Sequence, residues 1–170
     1  MPKPLAWYLR AVDALSYGLG RIAVYLIFVM MGVLMYAVIS RLVFDTSYVW
    51  LVETMQFMLV AYFLFGGAYS LQLDSHVRMD LFYERWSDRT KAIVDSLTIC
   101  CLIFYLVMLL WGGYSSAEYA LKYGETSRSS WGPPMAPIKI IMCTGITAML
   151  LQTTARFIRN VAAAIGSDRR

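Results

Sequence analysis

The chain has 170 residues, of which 59% are hydrophobic and only 15% charged, with a formal net charge of +4. So little charge cannot wet the surface of a soluble domain of this size. Nor does the positive balance point to nucleic acid, because the basic residues sit at the ends of apolar segments and form no patch.

Four runs contain no Asp, Glu, Lys or Arg: Ile22–Ser40, Thr54–Leu73, Ser96–Ala117 and Ile140–Ala155. A helix rises ~1.5 Å per residue and needs about 20 apolar residues to cross the hydrocarbon core. The first three runs reach that length. The fourth is shorter, but Lys139 and Arg156 flank it and can lift their charged heads to the headgroups while their stems stay in the apolar layer. The expected fold is an all-α integral membrane protein, a single membrane domain over residues 1–170, with spans at about 20–41, 51–73, 94–118 and 137–158.

In chain order, the first element is amphipathic. Leu5, Tyr8, Leu9, Val12, Leu15 and Leu19 recur at helical spacing, with Lys3, Arg10 and Asp13 off that stripe and Trp7 near its start. This pattern predicts an interfacial helix at about 4–18; a plain cytoplasmic extension of span one fits the same residues. The first apolar run starts after Arg21 and shows no small-residue cleavage site before Arg41, so it reads as a retained anchor. Residues Arg41–Trp50 form a short outer turn with Asp45, Thr46 and Ser47. Spans one and two are then an antiparallel hairpin, with Arg41 and Glu53 at facing ends. An ion pair closing the turn and a contact to a partner are both open to that pair.

The loop Asp74–Asp95 is the most polar part of the chain. Leu81, Phe82, Tyr83 and Trp86 predict a short interfacial helix capped by Asp80. His76, Arg78 and Asp80 alternate just before it, suited to local pairing in a solvated loop or to a partner's loop or a lipid phosphate. The second outer loop carries Glu125 and Arg128 and then Ser129 to Pro137, where adjacent Pro133 and Pro134 impose an extended course and Pro137 fits the first turn of span four. Within the spans, Gln56 and Gln152 can bond across helices, and Gly66, Gly67, Gly112 and Gly113 permit close approach. Cys100, Cys101 and Cys143 read as small packing residues, since adjacent cysteines do not readily bridge each other.

Eleven basic residues precede span one, lie between spans two and three, or follow span four, against Arg41, Lys122, Arg128 and Lys139 on the other side. The positive-inside rule places both termini and the middle loop in the cytoplasm.

The missing chemistry is equally informative. A membrane haem b needs two axial histidines, and the chain has only His76. No paired outer cysteines, metal-ligand spacing, phosphate loop or nucleophile elbow is present, so an enzyme is not expected and no cofactor is called for. An autonomous transporter would carry ionisable groups deep in its spans, yet Glu53, Asp95 and Glu118 all lie at span ends. The spans read as a packed wedge with no translocation path.

Ser40-Arg41 closing span one, Trp50-x-x-Glu53 opening span two and Ser75-His76-Val77-Arg78-Met79-Asp80 after it resemble the small membrane (DctQ-type) subunit of tripartite ATP-independent periplasmic (TRAP) transporters. The stretch Glu125 to Lys139 is similar to the branch named for mannitol and chloroaromatic compounds. The resemblance implies a bacterial inner-membrane subunit bound to a large multispanning membrane subunit and served by a periplasmic substrate-binding protein. The large subunit would hold the substrate and sodium sites and move as an elevator, taking up a small organic anion such as a carboxylate or sulfonate. The small subunit would widen the stationary scaffold. No substrate, metal or catalytic residue carries over to this chain. An interface role carries over to Arg41, Trp50, Glu53, His76, Arg78 and Asp80, with Trp7, Trp86, Trp111, Trp131 and Lys139 as interfacial anchors among membrane lipids. The competing reading is a self-contained four-helix carrier acting as a homo-oligomer.

Overall fold

The structure is a computed structural model and describes residues 3–46, 48–73 and 88–167. It contains four helices: α1 (Lys3–Phe44), α2 (Val49–Gln72), α3 (Asp88–Tyr123) and α4 (Ala136–Ser167). Each is long and apolar enough to cross a membrane. The all-α membrane fold expected from the uncharged runs is the fold observed. The short helix expected around Leu81–Trp86 lies outside the described residues.

At the N-terminus, where the sequence fits both an interfacial helix and an extension of span one, the helix is continuous. Residues 4–18 do not form a separate helix, because α1 runs unbroken for 42 residues. At ~1.5 Å per residue this is ~63 Å, about twice the hydrocarbon thickness. No Pro or Gly-Ser break interrupts it between Ala6 and Phe44. The middle of its apolar stripe is covered by protein: Leu9 and Val12 are buried against Ala155 of α4, with Tyr8 and Leu151 packed beside them, while Leu15 stays exposed.

Helix α4 is the hub. It packs against α1, α2 and α3, while α1 and α2 pair with each other. Over its most apolar stretch 39% of α4 is buried, against 6% for α1, so α1 is the rim of the bundle and α4 its centre.

Small residues at helical spacing account for the packing. The buried seam is Ser16, Gly20 and Ala23 on α1, Gly113, Ala117 and Ala120 on α3, and Gly145, Ala148, Gln152 and Ala155 on α4. In lipid the tails are as apolar as any side chain, so helices associate where small residues let backbones approach. A Cβ on Gly20 would lie 2.4 Å from the Tyr69 ring, and one on Gly145 would lie 2.6 Å from Leu64 Cβ. Gly67 and Gly113 meet Met149 and Met142 in the same way, whereas Gly66 and Gly112 face open space. Of the cysteines, Cys143 lies against Gly113, but Cys100 and Cys101 are exposed on α3 and do not pack the interior as expected.

Candidate partner interface

The end of the bundle that holds the α1–α2 and α3–α4 connections is built by two turns. Helix α1 stops at Phe44 because Asp45 adopts φ 49°, a left-handed conformation that aspartate tolerates better than most residues. Helix α3 stops at Gly124, φ 60°, and the Glu125 N–H returns to the Ala120 carbonyl at 3.2 Å, the bond of a Schellman cap.

The chain then folds back on itself. Thr126 and Pro134 form an antiparallel bridge. The Ser127 N–H donates to the Pro133 carbonyl, and the Met135 N–H to the Glu125 carbonyl, each at 2.9 Å. Gly132, φ 58°, turns the tip, its N–H donating to Ser129 Oγ at 3.2 Å. The two prolines supply carbonyls and no donors, so they sit on this narrow ladder where no N–H is required.

This loop is fastened twice. Lys139 Nζ pairs with Glu125 Oε2 and also donates to the Ser116 carbonyl at 3.4 Å, which leaves its side chain only 15% exposed. Ser127 Oγ donates to Glu53 Oε1 at 2.8 Å. Glu53 is 9% exposed, and its Oε2 is buried with no donor among the described residues. Of the two readings open to Arg41 and Glu53, the closing ion pair is not formed: the carboxylate turns into the bundle toward Ser127. Arg41 stays exposed at the end of α1, with no ion pair among the described residues, beside the exposed Leu42, Val43 and Phe44. Trp50 is exposed one helical turn before Glu53 and touches Tyr48, with ring centroids 6.3 Å apart.

A second polar cluster joins α1 to α4 at the other end. Ser16 Oγ donates to Gln152 Oε1 at 3.1 Å, and Gln152 Nε2 donates to Asp13 Oδ1 at 3.3 Å. Arg159 pairs with Asp13 Oδ2 at 2.5 Å, and Tyr8 Oη lies 3.0 Å from Thr154 Oγ1. Ser16 and Gln152 are each 1% exposed, so this bond is made away from water. Gln152 thus serves the inside of the bundle, while Gln56 faces outward from α2. Asp13 and Arg159 were not singled out from the sequence. The available signal was Ser16, a polar residue exactly in step with Val12 and Leu19 on an otherwise apolar stripe.

The candidate residues fall into three groups. Arg41 and Trp50 share the exposed outer tip of the α1–α2 hairpin, while Glu53 is internal. Trp7, Trp111 and Trp131 are exposed on the surface, and Lys139 is held by Glu125. His76, Arg78, Asp80 and Trp86 lie outside the described residues.

These features define a multispanning membrane protein with an outward apolar surface and charges confined to its two ends. The chain belongs to the DctQ component family of tripartite ATP-independent periplasmic transporters, whose pattern matches residues 30–163. It is a transporter component and not an enzyme. Among curated proteins, none matches the chain.

Proposed function

We propose that this chain is the small permease subunit that enlarges and steadies the stationary scaffold of a large TRAP membrane subunit. The observation that carries the reading is the family match across residues 30–163, which takes in α2, α3, the C-terminal part of α1 and all but the last turn of α4. The distribution of charge supports it: the four runs that fill the spans hold no Asp, Glu, Lys, Arg or His. A chain with no charged side chain in these runs, and with unbroken helices among the described residues, offers neither a counter-charge nor unwound backbone to an anion or a coupling ion there. Substrate and sodium sites accordingly belong to the large subunit, and no cofactor is assigned to this chain. The transported species is a small organic anion, a carboxylate or sulfonate, delivered by the periplasmic binding protein. The similarity of Glu125 to Lys139 to the mannitol and chloroaromatic branch does not name it. In this reading the subunit sits in the bacterial inner membrane, and the bias of its basic residues supports a topology with both termini cytoplasmic.

Arg41 is the interface residue best placed for a direct test. It is exposed in a bare apolar surround, so a carboxylate on the large subunit would complete its charge pairing. Replacing Arg41 with Ala removes no ion pair from the described part of the subunit. The expected result is reduced recovery of the large subunit with the tagged chain and reduced uptake, at unchanged levels of the small subunit. Wild-type recovery and uptake would refute the role of Arg41.

A further inference from the structure

Only three residues in the four uncharged runs carry a carboxamide: Gln56, Gln72 and Gln152. Gln152 is bonded inside the bundle to Ser16 and Asp13, and Gln72 ends α2 with its Oε1 buried. Gln56 differs from both. It is exposed on α2 and makes no hydrogen bond among the described residues. The exposed hydroxyls of Thr98, Thr144 and Thr147 each donate to the carbonyl four residues back in their own helix, which satisfies them without a neighbour. Gln56 has no such bond.

Depth removes water as its partner. Trp50 lies at the outer interface, and Gln56 is ~9 Å further along α2 at ~1.5 Å per residue. Its stem is shorter than that of lysine and does not span this distance. Gln56 also belongs to a row whose spacing alternates between four and three: Val52, Gln56, Leu59, Phe63, Gly66 and Ser70. The helices that pack on α2, α1 and α4, leave this row uncovered from Val52 to Phe63, and a Cβ on Gly66 would meet nothing within 4 Å. From Val52 to Ser70 the row is ~27 Å long, nearly the ~30 Å thickness of the hydrocarbon. Such a row is the seam along which two helices interlock, and a single polar residue within it fixes their register.

We infer that this face of α2 receives a transmembrane helix of the large subunit, with Gln56 hydrogen-bonded across the seam to a polar group of that helix. The seam presupposes the scaffold role and adds to it the face that meets the partner. Acyl chains carry no hydrogen-bonding group, so lipid on this face would leave the amide unsatisfied. Membership of the family supplies a membrane protein that can satisfy it. Gly66 lets the two backbones close on each other.

The test is photo-cross-linking in native membranes, with p-benzoylphenylalanine in place of Phe63 on the row or of Phe104 on the exposed side of α3. The probe at Phe63 should capture the large subunit, and the probe at Phe104 should not. Gln56→Leu keeps the bulk and removes the amide. It should lower recovery of the large subunit with the tagged chain about fivefold, at unchanged level and thermal stability of the small subunit. Gly66→Leu should do the same by holding the backbones apart. Wild-type recovery in both variants would overturn the inference, as would capture of lipid alone or of a second copy of this chain at Phe63. The tagged wild-type chain separates the two claims. If it brings down the large subunit while the probe and both variants fail, the scaffold role stands and the face is wrong. If it brings down no large subunit, the scaffold role fails and the seam fails with it.

Discussion

Ser127 and Glu53 come from opposite ends of the described chain's outer face and meet at 2.8 Å, hydroxyl to carboxylate. The bond ties the loop between α3 and α4 to the first turns of α2, a helix that packs chiefly on α1 and α4. It also gives a buried carboxylate its one donor among the described residues. The outer end of the subunit is therefore a fixed surface, and the exposed side chains it carries keep defined positions.

Removing that donor should loosen the loop. Ser127→Ala leaves Glu53 buried without a partner, at a cost of about 1–3 kcal/mol. Glu53→Gln keeps an acceptor for Ser127 and removes the buried charge, so it should be far milder than Glu53→Ala. Limited trypsin cleavage after Arg128, exposed on the same loop, reads the difference directly: Ser127→Ala and Glu53→Ala should accelerate it and Glu53→Gln should not.

At the other end, the Asp13–Arg159 pair is about one-third exposed on both sides, so by itself it should contribute no more than about 1 kcal/mol. Gln152 matters more, because Gln152→Leu strands Ser16 in a buried site. Cysteines at Leu9 and Ala155 in a cysteine-free background should cross-link in membranes. Gln152→Leu should weaken that cross-link several-fold, and Asp13→Asn only slightly.

The glycines divide into two sets. Gly20→Val and Gly145→Leu drive side chains into Tyr69 and Leu64, and both should abolish stable expression. Gly66→Ala and Gly112→Ala meet nothing within 4 Å and should leave the isolated subunit's thermal stability unchanged. A loss of complex recovery in either would mark a face pressed against the large subunit.

Orientation has its own readout. With the native cysteines replaced by Ala, Thr46→Cys in the first outer turn should react with a membrane-impermeant maleimide on intact cells. Asn160→Cys near the end of α4 should react only after the cells are opened. The reverse pattern would invert the assigned topology.

The spans were readable because the bilayer imposes a single demand, a long uncharged run, which three runs meet outright and the fourth meets once Lys139 and Arg156 extend it. Helix lengths were less so. Charge marks where a span leaves the hydrocarbon, not where its helix stops, and α1 and α4 continue well past that point. Partner choice was hardest. Arg41 and Glu53 are neighbours across a short turn, yet Glu53 bonds to a residue 74 positions away, because a fold-back loop stapled by Gly124, Gly132 and two prolines presents Ser127 to it. Likewise Asp13 looked like a solvated charge until α1 proved to be one rod laid across α4.

The central claim is that this chain works as the fixed part of a larger permease. The most direct measurement is the mass of the complex recovered with the tagged chain from its own host membranes in mild detergent. A stoichiometric, much larger multispanning protein bound to it is the predicted result. Recovery of the chain alone or only self-associated, together with substrate uptake by proteoliposomes containing nothing else, would contradict it.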